Sequence, residues 1–90
     1  MRNKDIYEKA IERFGATQQE IVAIEECSEL IQAITHKHRG RKHNLAEEIA
    51  DVEIMLEQLK IINGCPLTVE AIKYLKLERL RKRLEMRSVD

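Results

Sequence analysis

The chain has 90 residues, and its 16 basic and 16 acidic side chains cancel to a net charge of zero. This balance argues neither for nor against a nucleic-acid partner, whereas a hydrophobic share of 43% excludes a disordered chain. We assign residues 1–90 to one small domain. No apolar run approaches membrane length and no signal peptide is evident, so we expect a soluble, cytoplasmic protein without a membrane partner.

Capping residues and helix-terminating residues along the chain predict four helices. The first covers residues 4–14 and ends at Gly15, a residue that commonly follows a helix. The second opens with Thr17 as N-cap, because Glu20 follows three residues later as in a capping box. It extends to residues 37–39 and ends near Gly40.

The third and fourth helices are bounded in the same way. Asn44 is predicted to cap the third helix together with Glu47, and the helix stops before Gly64. Pro66 is predicted to interrupt the helical structure. The fourth helix is predicted to start near Thr68 and to run toward residue 86. Strand alternation is not evident. We therefore predict an all-α fold, an antiparallel helical bundle of about four helices, with the middle two antiparallel across residues 40–44.

Carboxylates occur on the apolar face of both middle helices. On a helical wheel for the second helix, Glu26 falls inside the apolar arc and Glu29 lies one step further round. On one side of Glu26 the arc contains Ala23, Cys27, Leu30, Ile31 and Ile34, and on the other side it contains Val22 and Ala33. This position makes Cys27 a predicted core residue.

The third helix likewise carries two carboxylates, three residues apart, on its apolar face. Glu48 lies in the centre of a stripe that contains Leu45, Val52 and Leu59, and Asp51 follows on the same face. If the two helices pack antiparallel, the four carboxylates converge. Clustered carboxylates in a partly apolar site repel one another and lose hydration, so they need protons, cationic partners or a metal. An all-oxygen donor set favours Mg²⁺, with Mn²⁺ as a substitute.

A structural reading competes with the metal site. Helices this rich in charge often place one glutamate at the edge of the core, with its stem buried and its carboxylate in water. For a single glutamate we would prefer that reading. Two matching pairs favour the metal site.

The two acidic motifs carry a family resemblance. EECSE at residues 25–29 followed by EIAD at 48–51 resembles the E-E-x-x-E … E-x-x-D signature of the MazG-like all-α nucleoside triphosphate pyrophosphohydrolases, whose relatives include dimeric dUTPases and dCTP pyrophosphatases. The surrounding stretches AIEECSELIQAI and EEIADVEIMLEQL resemble the two central helices of that family. One departure is Met55, where some relatives carry a tyrosine.

The resemblance implies an enzyme that hydrolyses a nucleoside triphosphate to the monophosphate and pyrophosphate with Mg²⁺. It implies that Glu25 orients or activates the attacking water. It also implies a set of metal ligands, namely Glu26, Glu29, Glu48 and Asp51.

Basic residues for the triphosphate are expected on the fourth helix, where family members commonly carry them. We select Lys76, Arg79 and Arg83, although basic residues near a helix C-terminus also favour the helix dipole and solubility. The loop HKHRGRKH, residues 36–43, either steers nucleotides or is a solvated turn. For base recognition the candidates are Gln18, Gln19 and Tyr74.

The resemblance also implies a homodimer or homotetramer. Ile21, Ile54 and Ile61 lie away from the carboxylate stripe, and a homo-oligomer would complete the core by covering them. Alternatively, the first and fourth helices cover them within one chain.

Two other functions compete with the hydrolase. A di-iron carboxylate bundle would need E-x-x-H on its helices, and the sequence contains none. A non-catalytic nucleotide- or nucleic-acid-binding helical module would use the basic loop and the basic fourth helix. No nucleic-acid-binding motif supports it, so we do not expect a nucleic-acid partner. A family member that binds nucleotides without hydrolysing them is a further alternative.

Overall fold

The computed structural model describes residues 1–86 of the chain. These residues form helices and turns, with no strand among them, which confirms the all-α prediction. The four helices are α1 (Asn3–Phe14), α2 (Ala16–His38), α3 (Leu45–Ile62) and α4 (Pro66–Glu85). Within residues 1–86, no helix combines the length and apolar character needed to cross a membrane.

A single residue, Gly15, separates α1 from α2. It adopts φ +90°, a conformation that residues with a side chain rarely adopt. Its N–H donates to the Ile11 carbonyl at 2.8 Å, and its own carbonyl accepts the Gln19 N–H at 3.0 Å. Gly15 therefore ends one helix and begins the next. The predicted N-cap at Thr17 is wrong, because α2 has already started at Ala16.

The other two helix starts differ from prediction in different ways. Pro66 does not act as a breaker but occupies the first turn of α4, where a missing N–H costs nothing and a fixed φ suits the helix. The fourth helix thus begins two residues before the predicted Thr68. Asn44 occupies the N-cap position of α3 as predicted, but its side chain makes no capping hydrogen bond.

The α2–α3 interface carries the core. Residue numbers rise along α2 as those of their partners fall along α3: Gln19 hydrogen-bonds Gln58, and Glu26 faces Asp51. The buried apolar residues are small or flexible, namely Ala23 and Ala33 on α2 with Val52 and Met55 on α3. Small side chains permit close approach of the two helices, but they bury little apolar surface.

One side of the predicted apolar arc of α2, the side with Cys27 and Ile31, is exposed to solvent. Cys27 is exposed, so its predicted core position is wrong. Ile24 is 70% exposed and Ile31 is 65% exposed on the same side of the helix. The buried face of α2 instead passes through Ala23, Glu26 and Ala33. The apolar arc is broader than the surface that α3 covers.

The described chain is elongated, because α4 contacts only α3 among residues 1–86. The radius of gyration is 17.0 Å for a 90-residue chain, whereas a compact domain of this length has about 12 Å. At the α3–α4 junction, Lys60 Nζ lies 2.9 Å from Glu57 Oε1 and 3.9 Å from Glu70 Oε1.

The first helix, α1, packs against α2 and α3. Ile61 is half-buried, whereas Ile21 and Ile54 are exposed.

A buried amide pair generates a stability prediction. Gln19 Nε2 donates to Gln58 Oε1 at 2.7 Å, and the two side chains are 6% and 4% exposed. Gln19→Ala leaves the Gln58 oxygen buried without a partner, so the free energy of unfolding should fall by about 1–3 kcal/mol in urea titrations. Gln18→Ala, at an exposed neighbour, should change it by less than about 0.5 kcal/mol. Equal effects of the two substitutions would contradict the structural role of the pair.

Candidate metal centre

Carboxylates from α2 and α3 meet in the interface between these helices. Glu26 and Glu29 lie one turn apart on α2, opposite Asp51 and Glu48 of α3. One carboxylate oxygen from each of Glu26, Glu29 and Glu48 lies within 4.8 Å of the other two. Asp51 is outside this group of three, but its charge acts on both Glu26 and Glu29. The structure thus brings together the candidate ligands, with Asp51 at the edge of the cluster.

Glu48 is the most buried member of this carboxylate cluster, with 7% of its surface exposed. Its Oε1 accepts a hydrogen bond from Asn44 Nδ2 at 2.8 Å. Its Oε2 is buried and has no hydrogen-bond partner among the described residues, and the same is true of Glu26 Oε2. Glu48 lies in the first turn of α3, where the helix dipole favours a negative charge. That dipole offsets only part of the cost of burying an unpartnered carboxylate oxygen.

The cluster shifts the proton affinity of its α2 members. Burial raises the pKa of Glu26 above its ordinary value of 4.5, and the charges of Asp51 and Glu29 raise it further. For Glu29 the largest cause is the charge of Glu48, followed by desolvation, and its pKa is also raised. Because Glu29 is exposed, water and salt weaken this repulsion. The metal-free cluster therefore holds negative charge at an energetic cost.

The donor set suits a hard divalent cation. All available ligand atoms are carboxylate oxygens, which Mg²⁺, Mn²⁺ and Ca²⁺ prefer. Opposite oxygens on Mg²⁺ are about 4.2 Å apart, and on Ca²⁺ up to about 5.2 Å. Separations within 4.8 Å are therefore compatible with one shared cation after small side-chain adjustments. Oε2 of Glu26 and Oε2 of Glu48 are buried without a hydrogen-bond partner in residues 1–86 and can therefore supply lone pairs to a cation.

Glu25 lies at the rim of the cluster. Its side chain is exposed, and it is not one of the three grouped carboxylates. Its charge is nevertheless among the causes that raise the pKa of Glu29. Glu25 is thus near the cluster and open to water, which is compatible with its predicted role toward a water molecule.

The predicted phosphate-binding residues lie elsewhere in the chain. Lys76, Arg79 and Arg83 lie on one side of α4 together with apolar side chains such as Ile72 and Leu80. α4 meets α3 at Lys60, twelve residues after Glu48, which corresponds to about 18 Å along a helix. Since α4 does not contact α2 in the described chain, these basic groups are not brought to the carboxylates within one chain.

Two features of the interface escaped sequence reasoning. Gln19, considered as a base contact, is buried and bonded to Gln58, so that role is wrong for it. Gln18 and Tyr74 are exposed. For Asn44 the sequence predicts only a capping role, whereas in the structure its amide also donates to the carboxylate of Glu48. Its spacing of four residues from Glu48 was the available signal, because side chains at i and i+4 are neighbours.

Comparisons of this chain with protein-family models, with curated proteins and with solved structures find no match. The resemblance to the MazG-like family therefore depends on the residues of the two acidic motifs. The same motifs place carboxylates on both sides of the α2–α3 interface.

The raised pKa of Glu26 generates a pH-dependent prediction. Because its pKa is higher in the folded chain than in the unfolded one, ionisation of Glu26 destabilises the fold. Glu26→Gln should therefore raise the melting temperature of the metal-free protein at neutral pH by a few degrees. The advantage should shrink as the pH falls through the folded pKa of Glu26 and vanish below 4.5, where this carboxyl is protonated in both the folded and the unfolded chain.

The measurement is thermal unfolding followed by circular dichroism in chelator, across this pH range. Glu20→Gln removes a charge from an exposed position on the same helix and serves as the control. A Glu26→Gln variant that is no more stable than the control at neutral pH would contradict the repulsion described for the cluster.

Proposed function

We propose that this chain is a Mg²⁺-dependent nucleoside triphosphate pyrophosphohydrolase, the activity implied by its resemblance to the MazG-like family. The observation that carries the proposal is the buried, unpartnered Oε2 of Glu48, in a group of carboxylates that includes Glu26 and Glu29. A buried charged oxygen without a partner is destabilising, so its presence points to a ligand. Mn²⁺ would substitute for Mg²⁺ on the same oxygens.

In this proposal, Glu26, Glu29 and Glu48 would hold the cation, and Asp51, whose charge acts on Glu26, would be the fourth ligand. The chemistry that a bound Mg²⁺ supplies is neutralisation of triphosphate charge and activation of water. Glu25, exposed at the rim, accepts a proton from the attacking water. The water oxygen forms a bond to the α-phosphorus, the bond from that phosphorus to the bridging oxygen breaks, and pyrophosphate leaves.

We further propose that the fold is an antiparallel helical bundle completed by homo-oligomerisation, as a homodimer or homotetramer. The support is the uncovered side of α2, where Ile24 and Ile31 are 70% and 65% exposed on either side of Cys27. A second copy would bury these side chains. Because α4 does not contact α2 within one chain, α4 of a neighbouring copy would bring Lys76, Arg79 and Arg83 to the triphosphate.

The substitution Glu48→Gln tests the activity. Glutamine keeps an oxygen that accepts from Asn44, so the fold should survive, but the charge needed to hold the cation is lost. We expect Mg²⁺-dependent release of monophosphate and pyrophosphate to fall below detection, measured by ion-exchange chromatography over a panel of nucleoside triphosphates. Mg²⁺ should also cease to raise the melting temperature, whereas in the unaltered chain a 100-fold excess over Kd adds about 2.7 kcal/mol.

Glu20→Gln is the matched control and should retain both the activity and the Mg²⁺ response. Unchanged turnover in Glu48→Gln would overturn the hydrolase proposal. Absence of turnover in both forms, combined with salt-sensitive binding of nucleic acid that ignores the carboxylate change, would favour the non-catalytic binding module instead.

Assembly has its own test. Ile31→Glu places a charge on the uncovered side of α2, so light scattering after gel filtration should show a shift from an oligomer to the mass of one chain. Gln18→Glu adds the same charge at an exposed polar position and should leave the mass unchanged. A single-chain mass for the unaltered protein would contradict the proposed oligomer.

A further inference from the structure

The side chain of Asn44 is used in an unusual way at the start of α3. An N-cap asparagine normally accepts a hydrogen bond from an N–H of the first helical turn. Asn44 makes no such bond. Instead, Nδ1 of His43 accepts the Leu45 N–H at 3.3 Å, and the Asn44 amide donates to Glu48 Oε1 at 2.8 Å. A neighbour has taken over part of the capping role, and the amide of Asn44 is directed toward a buried carboxylate.

Two hydrogen bonds join Asn44 to Glu48. The Glu48 N–H donates to the Asn44 carbonyl at 3.1 Å, and the Asn44 side chain holds Oε1 of the carboxylate. The backbone position and the side-chain orientation of Glu48 are therefore fixed by the same residue. Its second oxygen, Oε2, is buried and has no hydrogen-bond partner in residues 1–86.

The chemistry of the donor matters as much as its position. A lysine in place of Asn44 would neutralise Glu48 and compete with a cation for it. An aspartate would add a further negative charge to the cluster. A neutral amide orients the carboxylate and leaves its full charge available. Oε1 is held by this hydrogen bond, whereas Oε2 is buried without a hydrogen-bond partner in residues 1–86, so Oε2 is the oxygen more available to a ligand.

We propose that Asn44 is a positioning residue that makes Glu48 a one-oxygen metal ligand and thereby favours small, octahedral cations. This inference rests on the metal site of the proposed function. Mg²⁺ and Mn²⁺ accept single carboxylate oxygens in octahedral geometry, whereas Ca²⁺ often binds both oxygens of a carboxylate. With Oε1 held by Asn44, the Glu48 carboxylate is less free to turn so that both of its oxygens face one Ca²⁺.

The test is Asn44→Ser, because serine is an equally good N-cap but is too short to reach Oε1 of Glu48. Binding of Mn²⁺ and of Ca²⁺ to the metal-free protein is measured separately by calorimetry. We expect Mn²⁺ affinity to fall about 10- to 100-fold, the usual effect of removing a residue that orients a metal ligand. Ca²⁺ affinity should fall less or rise, so the ratio of Mn²⁺ to Ca²⁺ affinity decreases. The melting temperature without metal should fall, because Oε1 of the buried Glu48 loses its hydrogen-bond donor, so the ratio of the two affinities and not the stability decides the outcome.

His43→Ala is the matched control. It removes the acceptor for the Leu45 N–H and should lower the melting temperature, but it should leave the Mn²⁺ to Ca²⁺ ratio unchanged. The inference is overturned if Asn44→Ser changes neither affinity, if it weakens both cations equally, or if His43→Ala changes the ratio as much.

Glu48→Gln separates this inference from the function on which it rests. If the unaltered chain binds Mn²⁺, Glu48→Gln abolishes binding and Asn44→Ser has no effect, only the role of Asn44 fails. If the unaltered chain binds no Mn²⁺, the metal site and the role of Asn44 fail together.

Discussion

The burial of carboxylates between α2 and α3 is the constraint on which the rest of the structure depends. Glu48 is 7% exposed, and one of its oxygens has no partner in residues 1–86. The interface that holds it contains Ala23 and Ala33, whose small side chains allow the helices to approach closely but contribute little apolar burial. The features that bring the carboxylates together are thus the same ones that limit the stability of the chain. A cation would change this balance, because it would remove the repulsion without altering the packing.

Two groups of polar side chains in this interface show the difference between a structural hydrogen bond and a candidate ligand-binding group. Gln19 Nε2 donates to Gln58 Oε1, and Gln58 Nε2 donates to Met55 Sδ, so this pairing is explained by the fold alone. Glu48 has one oxygen satisfied by Asn44 and one left over. The glutamine pair connects α2 to α3, whereas Asn44 and Glu48 are connected across the first turn of α3. Only the second group includes a buried oxygen without a hydrogen-bond partner in residues 1–86, and for this reason it points to a ligand.

Helix content and the inward position of Glu48 were predictable, because both depend on local periodicity and end signals. The details of the junctions were not. Gly15 turns the chain within one residue, which moved the start of α2 ahead of Thr17, and Pro66 suits a first helical turn as well as a break. A helical wheel gives the direction of a side chain but not what covers it, so Cys27 was assigned to a core that α3 does not reach. The placement of α4 depends on tertiary contacts, which no local pattern encodes.

The single chain leaves two different demands unmet, and they lie on different sides of α2. Toward α3, the carboxylates Glu26 and Glu29 carry charge that is costly to hold without a cation. On the other side, Ile24 and Ile31 leave apolar surface in water. A cation would neutralise the carboxylate charge, and a second copy of the chain would bury the exposed isoleucines. The two would therefore not compete for one surface. Both would stabilise α2 in the same position. If assembly and metal binding occur as proposed, each should therefore favour the other through the helix they share.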